Sequence, residues 1–398
     1  MFSVVAFLLL SLRPSWGLPP YQAPLILGTP EDTIPGEYIV VLSSKLSVKE
    51  VTNHIEHASA IIAEEGDESA LIDIYNIGNF KGYAAKLTDR VRDHLRSMNE
   101  IVYIESNEKV HADNCTLQTV ATWGIVRTTY RNLPTIAEYS YETDGGNGVN
   151  VYIIDTGIET THPDFEGRAK WGVDFVDDPS PMTDLHGHGT HVAGTVMSNT
   201  YGVAKKATAI AVRVLNENGS GTKSGVISGI NWVAAQHTPG KKSVANMSLG
   251  GSSSAVEDAA VDAAVELGVN FVVSAGNSNT DACSQSPASA SQCVTVMASD
   301  SSDKFAIFSN YGTCTDIIAP GVKITSTWLE GGINTISGTS MASPHVAGVV
   351  AKYLSSQSTV PSPANVKAWL INNASTNKIS NVPTTLPTPN KLLFMDCL

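Results

Sequence analysis

Hydrophobic positions in the C-terminal two thirds of the chain fall into short apolar runs that alternate with stretches of helical spacing. The runs contain few polar residues, as is typical of strands buried on both faces of a parallel sheet. Helices are predicted near residues 188–198, 223–236 and 256–267, the last of which ends at Gly268. The predicted strands are Val149–Ile154, Ala207–Leu215, Val244–Leu249, Val269–Ser274, Val294–Ala298 and Asp316–Ala319. This alternation favours an α/β domain with helices on both faces of a parallel sheet.

The pattern of residues 37–111 is different and predicts a separate small domain. Tyr38–Leu42 is predicted to be a strand, and Ser47 with Glu50 forms a capping-box signature before a helix. Thr88 is placed to cap a second helix. Further strands are predicted at Leu71–Ile77, Phe80–Leu87 and Ile101–Glu105. The order βαββαβ over roughly 80 residues is typical of a small α+β, ferredoxin-like domain.

The chain begins with an apolar run, Met1–Leu12, that is too short to span a bilayer. Ser15 and Gly17 supply the small residues that a signal peptidase requires before a cut after Gly17. We therefore expect residues 1–17 to be a signal peptide and the product to be secreted and extracellular; a buried helix is the alternative. Residues 18–36 hold several prolines and are expected to be a linker.

Composition narrows the classes of partner. The formal net charge of −13 argues against nucleic acid or an anionic membrane, because both repel an acidic protein. The five cysteines lack the C-x-x-C spacing of zinc and redox sites, which in a secreted chain favours one or two disulfides. An odd number leaves at least one cysteine unpaired within the chain.

A serine stands at the start of a predicted buried helix. Ser340 precedes the apolar run 346–351, and Pro344 is expected within the first turn, where its missing N–H costs nothing. Amides at a helix N-terminus lack intrahelical acceptors, so they could stabilise the oxyanion formed when such a serine attacks a carbonyl. The alternative is a serine that only caps the helix.

Two further residues supply the groups that a nucleophilic serine needs. Asp155 follows the apolar run Val149–Ile154, at the carboxyl end of a buried strand, and His188 opens an apolar helix. With Ser340 they make a nucleophile, a general base and a carboxylate that orients the base. The chain order Asp, His, Ser excludes the α/β-hydrolases. A turn aspartate is the alternative for Asp155.

A zinc site is the alternative for the histidine-rich segment. His186, His188 and His191 lie close together in the sequence. The spacing H-E-x-x-H is absent, and there is no glutamate between His188 and His191, which argues against zinc.

Three segments resemble the signature motifs of the subtilisin-like serine proteases, in the same order. They are Asp155-Thr-Gly157, His188-Gly-Thr-His191 and Gly338-Thr-Ser-Met-Ala-Ser-Pro-His345. Linking segments are similar to the proteinase K branch, and the resemblance runs from about Trp123 to Leu393. It implies an endopeptidase that hydrolyses peptide bonds through an acyl-enzyme on Ser340.

The resemblance also implies substrate-binding residues. Asn277 matches the asparagine of the oxyanion hole, whose amide would act with the backbone N–H of Ser340. Ala275 and Gly276 would wall the pocket for the residue before the scissile bond. The segments that would flank an extended substrate as added strands consist of Gly219, Ser220, Gly221, Ser248, Leu249 and Gly250. Main-chain pairing makes little sequence demand, so broad specificity is expected.

Residues 37–114 resemble the inhibitory prodomain of these proteases, and residues 115–398 their catalytic domain. A self-processing zymogen is implied, in which the prodomain is an intramolecular inhibitor and its tail, Val110–Asn114, the first substrate. The other partners would be protein and peptide substrates of a monomeric enzyme without a catalytic cofactor. A non-catalytic binding protein on the same fold, kept inert by its prodomain, is the alternative.

The same resemblance implies a disulfide between Cys283 and Cys314. It leaves the pairing of Cys115 with Cys397 open and gives Cys293 no partner.

It also implies structural calcium. Asp316 matches the carboxylate of a calcium site whose other ligands would be backbone carbonyls near residues 289–292. At a second, weaker site, Lys378 stands where a ligating aspartate is expected, so that site should be lost.

Overall fold

The computed structural model describes residues 21–28, 33–64, 69–109, 115–176 and 182–397. Contacts within the chain divide it into two units, one up to Ala112 and one from Asp113 onward. In this part of the chain no helix is long and apolar enough to cross a membrane. The expected signal peptide and the tail Val110–Asn114 lie outside the described residues.

The described residues of the first unit form a five-stranded sheet and two helices. The elements are β1 (Leu25–Ile26), β2 (Thr33–Leu42), α1 (Val48–Glu64), β3 (Ala70–Ile77), β4 (Phe80–Lys86), α2 (Asp89–Leu95) and β5 (Ile101–Glu108). The strand order is β1-β5-β2-β4-β3, antiparallel except for the pair β1 and β5. The predicted α+β domain is confirmed, with β1 added at one edge.

Local hydrogen bonds explain where both helices begin. The amide of Ser47 donates to Glu50 Oε2 (2.7 Å) and the amide of Glu50 donates to Ser47 Oγ (3.3 Å), which completes the predicted capping box. Thr88 Oγ1 accepts from the amide of Val91 (3.3 Å) and caps α2 as predicted.

Part of the segment expected to be a linker, residues 18–36, belongs to the sheet. β1 pairs with β5, and β2 begins at Thr33. Ala23 is fully buried, and its amide donates to the carbonyl O of Arg96 (2.7 Å). The prolines suggested a linker, but the apolar residues between them pack against the sheet.

The described residues of the second unit are built around a nine-stranded sheet. The helices are α3 (Trp123–Arg127), α4 (His188–Met197), α5 (Lys223–Gln236), α6 (Ala255–Glu266), α7 (Thr339–Ser356) and α8 (Pro363–Asn373). The strands are β6 (Cys115–Gln118), β7 (Tyr139–Glu142), β8 (Val149–Asp155), β9 (Ala169–Asp174), β10 (Thr208–Arg213), β11 (Lys242–Met247), β12 (Gly251–Ser252), β13 (Asn270–Ser274), β14 (Gln285–Ser286), β15 (Val294–Ser299), β16 (Ile317–Pro320), β17 (Ile324–Thr327), β18 (Ile333–Ile336), β19 (Ser375–Thr376) and β20 (Lys391–Leu392).

The predicted parallel sheet is confirmed. Its strand order is β19-β20-β16-β15-β13-β11-β8-β10-β9, and every pair is parallel except β19 with β20. Val151 and Ile153 of β8 pack with α4 and α7, whereas Tyr152 and Ile154 pack with α5 and α6. Alternate side chains point to opposite faces, so β8 is apolar throughout because both faces are covered.

Periodicity did not predict the hairpin of β17 and β18 or the helix α8. The hairpin lies outside the main sheet, and α8 buries only Val366 and Leu370 fully. In β17 the buried residues include Ser326 and Thr327, which are polar. Both elements therefore carry a weak hydrophobic pattern.

Two disulfides link distant segments of the second unit. The implied Cys283–Cys314 bond is confirmed. Cys115 pairs with Cys397 across a separation of 282 positions, and Cys293 is buried and free. Bridges over loops of this length restrict the unfolded chain and stabilise by roughly 3–5 kcal/mol in the chain-entropy model.

Candidate active site

The carboxyl end of β8 meets the N-terminus of α4 through a buried hydrogen bond. Asp155 is the last residue of β8 and is fully buried, and His188 is the first residue of α4. His188 Nδ1 lies 2.7 Å from Asp155 Oδ1, which also accepts from the amide of Thr156 (2.8 Å). Because Nδ1–H donates to the carboxylate, Nε2 is left as the basic nitrogen, as a general base requires.

Glycine permits this close approach of helix and strand. A Cβ at position 189 would collide with the carbonyl O of Gly157. Gly157 itself has φ of 107°, a conformation that glycine adopts without strain. Gly157 and Gly189 are therefore required for the contact between the motif at Asp155 and the motif at His188.

Asp184 organises the start of α4 and was not selected from the sequence. Its Oδ1 accepts hydrogen bonds from Thr156 Oγ1 and from the amides of His186 and Gly187, each at 2.9 Å. Its Oδ2 accepts from Thr190 N (2.9 Å) and Thr190 Oγ1 (2.7 Å). A carboxylate shortly before a helix start is a recognisable capping signal, so this residue could have been found.

The charges around His188 raise its pKa above the ordinary value of 6.5. Burial alone would lower this pKa, but the charge and hydrogen bond of Asp155, together with Asp184, outweigh that effect. The side chain is still 19% exposed and lines the cleft described below. A bound substrate can therefore reach it.

Ser340 lies in the first turn of α7 and is tied to Ser248 by two hydrogen bonds. Ser340 Oγ donates to the carbonyl O of Ser248 (3.2 Å), and Ser248 Oγ donates to the carbonyl O of Ser340 (2.7 Å). Among the hydrogen bonds of the described residues, the Ser340 hydroxyl has none to His188. Catalytic hydrogen bonds of this kind commonly tighten only when substrate is bound.

Pro344 lies inside α7 and beyond its first turn, so its predicted position was wrong. Proline has no N–H, so it cannot donate to the carbonyl O of Ser340 four residues earlier. Ser248 Oγ supplies that donor instead, and Asn246 Nδ2 of β11 donates to Ser248 Oγ (2.8 Å). The proline thereby opens the helix to a side chain from the sheet and anchors the turn that carries Ser340.

Asn277 follows β13 and presents its amide nitrogen beside the start of α7. Its Oδ1 accepts from Thr339 N (2.8 Å) and Thr339 Oγ1 (2.9 Å), which leaves Nδ2 as a donor. The place that a Cβ at Gly338 would take is 3.5 Å from Asn277 Nδ2 and 3.6 Å from the Ser340 amide. The two nitrogens therefore lie near one point, which is compatible with the expected oxyanion hole.

Both segments expected to flank a substrate line one cleft pocket. Gly219–Gly221 and Ser248–Gly250 surround a volume of about 490 Å³ together with His188. Ala275 and Gly276 do not line this pocket. Ala275 is fully buried among apolar residues, and the amide of Gly276 donates to Thr339 Oγ1 (3.1 Å), beside the start of α7.

The position of His191 argues against the zinc alternative. Among the described residues, no group of three or more histidine, cysteine, aspartate and glutamate side chains is placed to hold a metal ion. His191 Nε2 is bonded to the carbonyl O of Ile324 (3.0 Å), and burial lowers the pKa of His191 to about 4. His191 is thus a structural residue that points away from His186 and His188.

Asp316, the side chain expected to bind calcium, does not fit the role of a calcium ligand. Asp316 Oδ1 lies 3.0 Å from Lys367 Nζ, and Oδ2 accepts from the amide of Thr295 (2.9 Å). The same ammonium group donates to the carbonyl O of Cys293 (2.7 Å). A positive charge therefore already stands beside the carboxylate and would repel Ca²⁺. Against the expectation, we infer that Asp316 is the ion-pair partner of Lys367 rather than a calcium ligand.

Comparisons with known proteins find relatives over most of the chain. The family model "Subtilase family" matches residues 146–390, and the model "Peptidase inhibitor I9" matches residues 37–113. The chain is 41% identical to the subtilisin-like serine protease Pen c 2 of Penicillium citrinum, over 94% of this chain and 90% of that protein. It is 43% identical to alkaline serine exoprotease A of Vibrio alginolyticus, over 94% of this chain and 70% of that protein. The crystal structure of a cold adapted subtilisin-like serine proteinase is similar with a TM-score of 0.65 and 50% identity, over 69% of this chain and 98% of that one.

Replacing Asn277 with alanine removes one of the two donors at the oxyanion position. We expect kcat for a fluorogenic peptide to fall by roughly 10²- to 10³-fold with little change in KM, because the donor acts mainly in the transition state. An Asn132→Ala variant, which changes an exposed asparagine, should keep the wild-type kcat. An increase in KM alone would contradict the assigned role.

Replacing Lys367 with alanine leaves the half-buried carboxylate of Asp316 without its cation. We expect a loss of stability on the order of 2 kcal/mol or more, measured as faster thermal inactivation, whereas a Lys378→Ala variant at an exposed lysine should change little. If Asp316 binds no calcium, a calcium chelator should not change the rate of thermal inactivation by way of Asp316. The inference fails if a chelator accelerates inactivation of the wild type and an Asp316→Asn variant no longer responds.

Proposed function

Because the chain belongs to the subtilase family of serine proteases, we propose that it is a secreted endopeptidase of broad specificity, made as a self-processing zymogen. The observation that carries this proposal is the buried hydrogen bond from His188 to Asp155, with Ser340 at the start of α7. The contact makes His188 a general base at the site where helix amides face the serine.

In the proposed reaction, Ser340 Oγ attacks the carbonyl carbon of the peptide bond while His188 Nε2 takes the hydroxyl proton. The oxyanion of the tetrahedral intermediate is stabilised by Asn277 Nδ2 and the amide of Ser340. His188 then gives its proton to the leaving amine, and the C–N bond breaks to leave an acyl-enzyme. Water, deprotonated by His188, then attacks the ester carbonyl carbon. The bond from that carbon to Ser340 Oγ breaks, His188 returns the proton to Ser340 Oγ, and the acid is released. Asp155 orients the imidazole and stabilises its charged form without taking the proton.

Broad specificity is supported by how substrate would be held. Gly219–Gly221 and Ser248–Gly250 offer main-chain groups to an extended chain, and such pairing is insensitive to side-chain identity. Ala275 and Gly276 contribute no bulk to the pocket expected for the residue before the scissile bond. Large apolar side chains should therefore be accepted there.

The zymogen proposal rests on the first unit. Its match to an inhibitor family over residues 37–113 supports an intramolecular inhibitor that the protease later removes. The two disulfides and the apolar N-terminal run support secretion, because disulfides persist in oxidising compartments. The hydrogen bond between Asp155 and His188 argues against a non-catalytic binding protein, because binding alone does not require a polarised imidazole.

The raised pKa of His188 predicts the acid limit of activity. Only the neutral imidazole accepts the serine proton, so kcat/KM should fall as the pH drops through a value above the ordinary 6.5. Asp155→Asn removes the main interactions that raise this pKa, so its acid limb should move to lower pH. Its kcat should fall by about 10⁴-fold, the size known for this type of triad. An activity optimum in acid would contradict the assignment of His188.

A Ser340→Ala variant tests self-processing. When the wild type is expressed with its own N-terminus, N-terminal sequencing of the secreted protein should show a cut near residues 110–116. The Ser340→Ala protein should keep the first unit, and Ser356→Ala, at the exposed end of α7, should be processed normally. Loss of the first unit from Ser340→Ala in a protease-deficient host would refute self-processing.

A further inference from the structure

The cleft pocket is lined by more residues than the two substrate-flanking segments. Besides the two substrate-flanking segments, its lining includes Leu215 and Val226, and also Lys223 and Glu257. Its volume of about 490 Å³ is large enough for a long side chain. Lys223 is exposed, whereas Glu257 is buried. The buried carboxylate calls for an explanation, because a buried charge is costly when unpaired.

Glu257 is a buried carboxylate that lines this pocket. The residue is 3% exposed, and in the part of the chain that the structure describes its carboxylate receives neither a hydrogen bond nor an ion pair. Burial raises its pKa, the neighbouring Asp258 raises it further, and Lys223 lowers it. The carboxylate therefore lacks a compensating partner of its own.

A structural role in capping α6 does not account for Glu257. Ser254 and Glu257 have the spacing of a capping box, in which the glutamate would accept from the amide of the capping serine. That amide donates instead to Ser286 Oγ (2.8 Å). Only one half of the box is formed, from the amide of Glu257 to Ser254 Oγ (3.5 Å), so the carboxylate is not used by the helix.

Lys223 does not neutralise Glu257 directly. Its Nζ donates to the carbonyl O of Ser252 (3.1 Å) and to the carbonyl O of Ser253 (3.4 Å). The ammonium group thus ties the start of α5 to the segment after Ser248–Gly250, at the exposed side of the pocket. It leaves the carboxylate of Glu257 facing the cavity.

We propose that Glu257 makes this pocket a recognition site for a basic side chain of the substrate, lysine or arginine, upstream of the scissile bond. The proposal rests on the protease function proposed above and adds one selective position to an otherwise tolerant cleft. An ammonium or guanidinium group that enters the pocket would pair with the carboxylate, and its aliphatic stem would lie against Leu215 and Val226.

The test compares peptides that differ at one position. A fluorogenic peptide library is varied in turn at each of the four positions before the bond, with lysine set against norleucine, which has a similar shape and no charge. We expect the wild type to prefer lysine and arginine at one of these positions. Glu257→Gln should reduce the lysine-to-norleucine ratio of kcat/KM there by roughly 10- to 100-fold, the effect of one charge-assisted hydrogen bond.

Asp258→Asn is the matched control. Asp258 is adjacent on α6, but its Oδ2 accepts from Ser289 Oγ (2.7 Å) and it does not line the pocket, so this variant should keep the preference. A reference peptide with alanine at all four positions, cleaved equally by all three proteins, shows that the variants are folded and active. Equal ratios in wild type and Glu257→Gln, or a wild-type preference for norleucine, would overturn the proposal. No cleavage of the reference peptide by the wild type would instead overturn the protease function itself.

Discussion

The hydrogen bond between Asp155 and His188 requires the end of one strand and the start of one helix to meet inside the protein. A fully buried carboxylate is tolerated only when it is hydrogen-bonded, and Asp155 has both His188 Nδ1 and the amide of Thr156 as donors. Both carboxylate oxygens of Asp184 accept hydrogen bonds from backbone amides at the start of α4 and hold its first turn in place. The position of the base is thus set by a network that cannot relax without exposing or unpairing a charge.

The parallel sheet explains why the other groups are close to this contact. The strands β13, β11 and β8 are neighbours, and Asn277, Ser248 and Asp155 stand at or just after their carboxyl ends. Parallel strands present these ends at one edge. Ser340, the proposed nucleophile, is brought to the same edge by α7. The first turn of α7 is held by Ser248, just after β11, and by Asn277, shortly after β13.

At two other places in the second unit, the surroundings of one charged residue bear on what that part of the fold can bind. At Asp316, the ammonium of Lys367 stands where a metal ion was expected. At Glu257, a buried carboxylate without a hydrogen-bonded partner among the described residues lines the cleft pocket. In both places a single side chain changes what the surroundings can bind, because charge inside a protein has to be matched by a partner.

The sequence by itself determined the class of fold and the three residues of the proposed triad. Runs of apolar residues on β8 and its neighbours predict a doubly covered sheet, and Asp155, His188 and Ser340 stand at element ends that such a sheet brings together. It also showed the capping box at Ser47, since that interaction spans three residues. The tertiary structure decided what depends on distant partners: the bond of Ser248 to the carbonyl that Pro344 leaves free, the pairing of Cys115 with Cys397, and the ion pair of Asp316 with Lys367. The local pattern of hydrophobic and polar residues indicates which face of a helix or strand is buried. The partner of a buried polar group depends instead on how segments far apart in the chain pack together.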